Sequence, residues 1–153
     1  MSRSSAQLSM TKSVQVGQVC ACFNLRKAAR AVTQLYEDML RPSGLRGTQF
    51  ALLVATKNLE PVTVKRLAKA IVMDRTTLTR DLKPLEKQGL ITVEVGEDRR
   101  ERKVTLTPQG QQVLAHALPL WEKAQARVEK GLGQERLQRL LDDLSAAVAV
   151  TRA

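Results

Sequence analysis

The chain has 153 residues, enough for one domain with a substantial core and too few for two independent ones. Lysine and arginine outnumber aspartate and glutamate 25 to 15, and the formal charge of +10 favours polyanionic partners through long-range attraction and counterion release. The aromatic side chains are Phe23, Tyr36, Phe50 and Trp121, too few to hold single strands by base stacking.

Residues 1–13, MSRSSAQLSMTKS, are polar and serine-rich and read as a flexible arm without the apolar core of a signal peptide. No apolar run is long enough to span a bilayer, so the expectation is a cytoplasmic protein with no membrane partner. From Val14 the pattern becomes helical. Val16, Val19, Phe23, Ala28, Val32, Leu35 and Met39 predict one long helix within 14–41, ended by RPSG. Cys20 and Cys22 are too few for a disulfide framework and fit a reducing compartment. Two positions apart on a continuous helix, they point about 200° away from each other. That geometry disfavours a disulfide or a shared metal ion while the helix persists. A redox pair and two small apolar residues are the readings left open.

LRGTQFALLVATKN predicts a short, heavily buried helix with Thr48 as its cap and Phe50, Leu52, Leu53 and Val54 as its apolar residues. Pro61 blocks its continuation, Val62 suits a short extended piece, and Thr63 caps a second helix with Leu67, Ala68 and Ile71 inward. A very short connection at Val72 and Met73 leads to Asp74, whose carboxylate caps a third helix with Leu78, Leu82 and Leu85 on its inner stripe. Gly89 supplies a left-handed stop. Pro84 is the local objection, since an interior proline costs about 3 kcal/mol in a free helix; a distorted turn is expected there.

The period then falls to two. Ile91, Val93 and Val95, followed by Val104 and Leu106, predict a β-hairpin with the charged tip GEDRRE. Thr107 caps and Pro108 opens a long helix that Pro119 is expected to bend, and Leu137, Leu140, Leu141, Leu144 and Val148 line the last one. His116, the single histidine, reads as an interface or partly buried residue rather than a ligand. With one histidine, no paired carboxylates in a coherent arrangement and no phosphate-cradling loop, neither enzyme activity nor a cofactor or metal site is expected.

Three helices followed by a hairpin form a winged helix-turn-helix, so the fold class is mainly α with a small β-hairpin. Such a unit sets one helix in the major groove of duplex DNA with the hairpin beside it. With its leucines inward, the third helix offers Arg75, Thr76, Thr77 and Arg80 toward base edges and Thr79 and Lys83 toward phosphates. Thr63, Lys65, Arg66 and Lys69 on the preceding helix are candidates for backbone phosphates. The wing carries Arg99, Arg100, Arg102 and Lys103, with Asp98 expected to orient an arginine. A merely solvated basic face on a protein-interaction module is the alternative from another class. The apolar stripes of the first and the last two helices exceed what the central module can cover, which predicts partner helices, most simply from a second identical chain.

These pieces resemble the MarR family of bacterial transcriptional regulators over roughly residues 14–150. The resemblance rests on LRGTQFALL at 45–53, VTVKRLAKAIVMDRTTLTRDLKPLEKQGLI at 62–91 and DRRERKVTLTPQG at 98–110, including the wing pair Asp98 and Arg100. It implies a single domain over 14–153, with the winged core at 45–107 and dimerisation helices at 14–41 and 108–150. It further implies a homodimer on a pseudo-palindromic duplex, usually as a repressor, with Arg100 probing the minor groove. The family's release signals, a small aromatic or phenolic effector or cysteine oxidation, come from the resemblance alone. A pocket lined by Phe23, Tyr36, Phe50 or Trp121 competes with a plain core role for the same residues.

Overall fold

The computed structural model describes residues 10–152, which fall into two compact units divided between Leu35 and Tyr36. The first unit holds α1 (Met10–Val19) and most of α2 (Ala21–Leu40). Residues 1–9 of the expected arm lie outside the described residues, and Met10–Ser13 are helical. The single long helix expected from Val14 is interrupted at Cys20. Cys20 acts as the cap of α2: its Sγ accepts the Phe23 N–H at 3.5 Å. The Asn24 side chain stitches the break by donating to the carbonyls of Cys20 at 2.9 Å and Gly17 at 3.2 Å. The backbone ladder persists across the break, with the Cys20 N–H donating to the Val16 carbonyl at 2.9 Å and the Asn24 N–H to the Cys20 carbonyl at 3.1 Å.

The second unit contains a 3₁₀ turn (Arg41–Ser43), α3 (Gly47–Leu59), β1 (Val62–Thr63), α4 (Val64–Ala70), α5 (Arg75–Lys87), β2 (Ile91–Val95), β3 (Arg102–Leu106), α6 (Pro108–Leu132) and α7 (Gln134–Arg152). Thr48 does not cap α3 but lies inside it. Instead Gln49 Oε1 accepts the Arg46 N–H at 3.0 Å, and Glu37 Oε1 accepts the Gly47 N–H at 2.7 Å. The hairpin is joined by β1 into an antiparallel sheet of order β1-β3-β2, with Val62 opposite Val104 and Ile91 opposite Leu106. Leu40, Leu53, Leu67, Leu78, Leu85 and Val104 form the centre of the core, each fully buried. α5 continues past Pro84, because the Gln88 N–H still reaches the Pro84 carbonyl at 3.0 Å. α6 likewise runs unbroken through Pro119.

One junction fixes the hairpin against α5. The Thr107 N–H donates to the Leu90 carbonyl at 3.0 Å, and the Thr107 hydroxyl donates to the Gly89 carbonyl at 2.6 Å. That same hydroxyl oxygen accepts the Gly110 N–H at 3.0 Å and so caps α6. Gly110 sits so close that a Cβ there would lie 1.9 Å from the Leu90 oxygen. Glu60 holds the other side of the sheet, with one carboxylate oxygen accepting the Leu106 N–H at 2.9 Å and the other paired with Lys57 at 3.0 Å. Burial works against its charge, but the Leu106 amide and the Lys57 ammonium outweigh it and lower the carboxyl pKa.

Gly110→Ala is expected to cost about 3 kcal/mol of stability, the upper end for overpacking, because a backbone carbonyl has to move. Gly131, on the same helix, has open space around its would-be Cβ. Gly131→Ala should therefore stabilise by roughly 0.5–1 kcal/mol, and urea denaturation of the two variants reads opposite signs. Thr56 is fully buried with its hydroxyl unpartnered. Thr56→Val should gain up to about 1 kcal/mol in the same assay, whereas a loss of that size would reveal a hydrogen-bond partner.

Candidate nucleic-acid interface

α5 is amphipathic in the sense the sequence requires. Leu78, Leu82 and Leu85 are buried, while Arg75, Thr76, Thr79, Arg80 and Lys83 are exposed on its outer side. The helix begins where Asp74 caps it: one carboxylate oxygen accepts the Thr77 N–H at 2.8 Å and the other accepts the Thr77 hydroxyl at 2.5 Å. These hydrogen bonds to Thr77, side chain first and backbone second, lower the Asp74 pKa. They also change the role expected of Thr77. It is half-buried and its hydroxyl proton is committed to the cap, so it holds the start of the helix rather than standing free to donate to a base. Thr79 likewise donates back to the Arg75 carbonyl at 2.7 Å. Arg75, Thr76 and Arg80 remain as the outward side chains nearest the helix start. Arg80 makes only a long 3.4 Å contact to Asp81, an exposed pairing of little energetic weight.

The wing tip is built differently from expectation. Asp98 does not pair with a guanidinium in the free chain; its Oδ1 accepts the Arg100 backbone N–H at 2.9 Å, an Asx-type turn. The Glu101 N–H donates to the Asp98 carbonyl at 2.9 Å, closing the tip. Arg102, itself exposed, folds back along the loop, donating to the carbonyls of Arg99 at 2.9 Å and Glu101 at 3.1 Å. Arg99 and Arg100 are left exposed at the tip, and Lys103 lies half-buried opposite Glu94 across the strands.

Between α4, α5 and the wing runs a groove of about 370 Å³. It gathers Lys65 from α4, Arg75, Thr79 and Lys83 from α5, and Arg100 and Arg102 from the wing, over an apolar floor of Val64, Leu82 and Val93. Thr63 is at its edge, but its hydroxyl caps α4 by accepting the Arg66 N–H at 3.2 Å. Arg66 and Lys69 are exposed on α4 outside this groove, and Thr76 and Arg80 line a shallower concavity along the outer side of α5. Glu86 and Glu101, two carboxylates outside the basic set expected from the sequence, line the same groove. The signal for Glu86 was present, since Arg75, Thr79, Lys83 and Glu86 follow one helical stripe. Glu101 is brought in by the tip turn, which no periodicity encodes.

Cys20 is half-buried in the break and Cys22 is exposed in the first turn of α2, so the condition of one persistent helix does not hold for the pair. Among the described residues no group of His, Cys, Asp and Glu is placed to hold a metal ion, and no helix is long and apolar enough to cross a membrane. His116 is exposed on α6 rather than partly buried in the single chain. Phe50 belongs to the core. Tyr36 and Trp121 pack half-buried against it, and the Tyr36 hydroxyl donates to Gln125 at 2.6 Å; burial raises the tyrosine pKa. Phe23 is exposed in the first unit.

Several known proteins resemble the chain. The sequence model described as the MarR family matches residues 43–101. The uncharacterized HTH-type transcriptional regulator YwoH of Bacillus subtilis (strain 168) is 30% identical over 87 residues, 57% of this chain and 64% of its own length. The organic hydroperoxide resistance transcriptional regulator of the same strain is 34% identical over 90 residues, 58% of this chain and 61% of its own. The chain thus spans a little under two thirds of these curated relatives. The M. tuberculosis transcriptional regulator MosR, solved in complex with DNA, is 39% identical with a TM-score of 0.77, covering 88% of this chain and 99% of that one.

The Asp74 cap gives a pH prediction. Its folded pKa is depressed, so its contribution is complete above the unfolded value of about 3.9 and is lost as pH falls through the lower folded value. The carboxyl resonance of Asp74 followed by NMR should titrate below that of an ordinary aspartate, and in Thr77→Val it should move back toward it.

Proposed function

Because the chain belongs to the MarR family, whose members are transcriptional regulators and not enzymes, we propose that it is a homodimeric regulator that binds a pseudo-palindromic duplex and represses transcription in the cytoplasm. The observation that carries this reading is the groove in which cations from α4, α5 and the wing converge beside the outer face of α5. On this reading, Arg75, Thr76 and Arg80 read base edges, Lys65, Arg66, Lys69, Thr79 and Lys83 meet phosphates, and Arg100 reaches the neighbouring minor groove. The solvated-face alternative leaves unexplained why three separate segments aim arginine or lysine into one concavity.

The dimer reading is supported by the last helix. Leu140, Leu141, Leu144 and Val148 of α7 are 37–45% exposed, a stripe that a second copy would cover. Release by cysteine oxidation is supported by the position of Cys20 in the break before α2 and by the exposure of Cys22 in the adjoining turn. One relative carries organic hydroperoxide resistance in its name. Release by a small aromatic or phenolic effector would draw on Tyr36 and Trp121, which keep part of their surface open. Activation instead of repression would follow from the same DNA contacts, and the position of the operator relative to the polymerase site separates the two.

Fluorescence anisotropy with duplex selected from a random-sequence library tests the reading. Binding should weaken steeply with salt, the logarithmic slope being about −0.9 per phosphate neutralised. Arg80→Ala should reduce discrimination by about 1–3 kcal/mol at one base position per half-site, while Lys65→Ala should weaken all sequences alike and flatten the salt slope by about one. Binding without sequence preference or salt dependence would remove the DNA-binding reading. Loss of binding after mild peroxide, restored by thiol, would assign release to Cys20 and Cys22; binding unchanged by peroxide would assign it to an effector.

A further inference from the structure

Two helix ends in the second unit are closed by the same backbone motif, with a different residue at the critical position. At the end of α5 the Leu90 N–H bonds the Leu85 carbonyl and the Gly89 N–H bonds the Glu86 carbonyl, both at 2.9 Å, with Gly89 at φ +71°. At the end of α4 the Met73 N–H bonds the Ala68 carbonyl at 2.9 Å, but the Val72 N–H reaches the Lys69 carbonyl only at 3.4 Å, with Val72 at φ +57°. Both are Schellman closures. A β-branched side chain in the left-handed region is strained, and the stretched bond to Lys69 falls on the strained residue. Val72 is also exposed, so packing offers no compensation.

The missing hydrogen-bond strength at Lys69 comes from elsewhere. The guanidinium of Arg152, in the last turn of α7, donates to the Lys69 carbonyl at 2.9 Å across 83 positions of sequence. A cation at a helix C-terminus also complements the helix dipole. Val72 belongs to the turn between α4 and α5, the connection that sets the angle of the outward-facing α5. We propose that Arg152 is a positioning residue for the DNA-binding motif: it holds the strained α4–α5 turn closed and so makes the presentation of α5 depend on where α7 lies. The inference rests on the DNA-binding and dimer readings above, since α7 also bears the leucine stripe assigned to the second copy. An event that shifts α7 would then be felt at the turn without any contact to DNA.

The test uses the full-length chain and two measurements. In Arg152→Ala, amide hydrogen exchange at Val72 and Met73 should accelerate by about tenfold, and affinity for the selected duplex should fall about fivefold to tenfold. Affinity for a scrambled duplex of equal length should stay the same. Combined with Val72→Gly, which removes the strain, Arg152→Ala should change affinity by less than about twofold. Unchanged exchange at the turn would overturn the proposal. So would an equal loss on both duplexes, which is the mark of a deleted charge, or an undiminished loss in the presence of Val72→Gly. If the unaltered protein shows no preference for any selected duplex, the DNA-binding reading is the one that fails, and the exchange measurement still decides whether Arg152 holds the turn.

Discussion

The structure depends on the junction in which the end of α5 is bonded to the start of α6. Leu90 and Gly89 offer two carbonyls, Thr107 answers both with its amide and its hydroxyl, and Gly110 lets the helix backbone approach closely enough for this to happen. The junction sets the end of α5, the helix proposed to face DNA, and, within the same few residues, the root of the wing. Since β2 starts at Ile91 and β3 ends at Leu106, the hairpin has little freedom to swing independently of α5. Rigid presentation matters because groove contacts discriminate between bases only when side chains arrive in fixed geometry.

Around this junction, many of the polar residues closest to the proposed DNA face stabilise backbone. Asp74 and Thr77 close the start of α5, Thr63 closes the start of α4, and Asp98 shapes the wing tip. The side chains that remain outward are chiefly long cations. Glu86 and Glu101 in the same groove temper their positive charge. Carboxylates beside a phosphate track lower affinity for any duplex that is not held by compensating contacts.

The two cap chemistries at the ends of α4 and α5 differ for a related reason. Glycine at position 89 makes the α5 end self-sufficient, whereas valine at position 72 leaves the α4 end in need of a donor from α7. A helix pair whose connecting turn is completed by a distant helix transmits the state of that helix. The exposed leucines on α7 give it something to respond to.

Much of this was legible from the residues in order. The leucine stripe of α5, the Asp74, Thr63 and Thr107 caps, the Gly89 stop and the alternating wing strands are local patterns, because helix and strand periods and capping hydrogen bonds involve neighbours in sequence. The same locality makes the outer face of α5 legible in the sequence, since it follows once the inner face is known. Only the tertiary structure decided that β1 would join the sheet and that Glu37, ten positions upstream, would accept the Gly47 N–H at the start of α3. The Asn24 bonds at the Cys20 break and the Asp74–Thr77 bond are local contacts, but spacing alone does not say which polar side chains will make them. The Arg152 contact to Lys69 and the convergence of Glu86 and Glu101 with the cations lie furthest from sequence reasoning. They depend on how elements far apart in the chain come to rest against one core, and no periodicity records that.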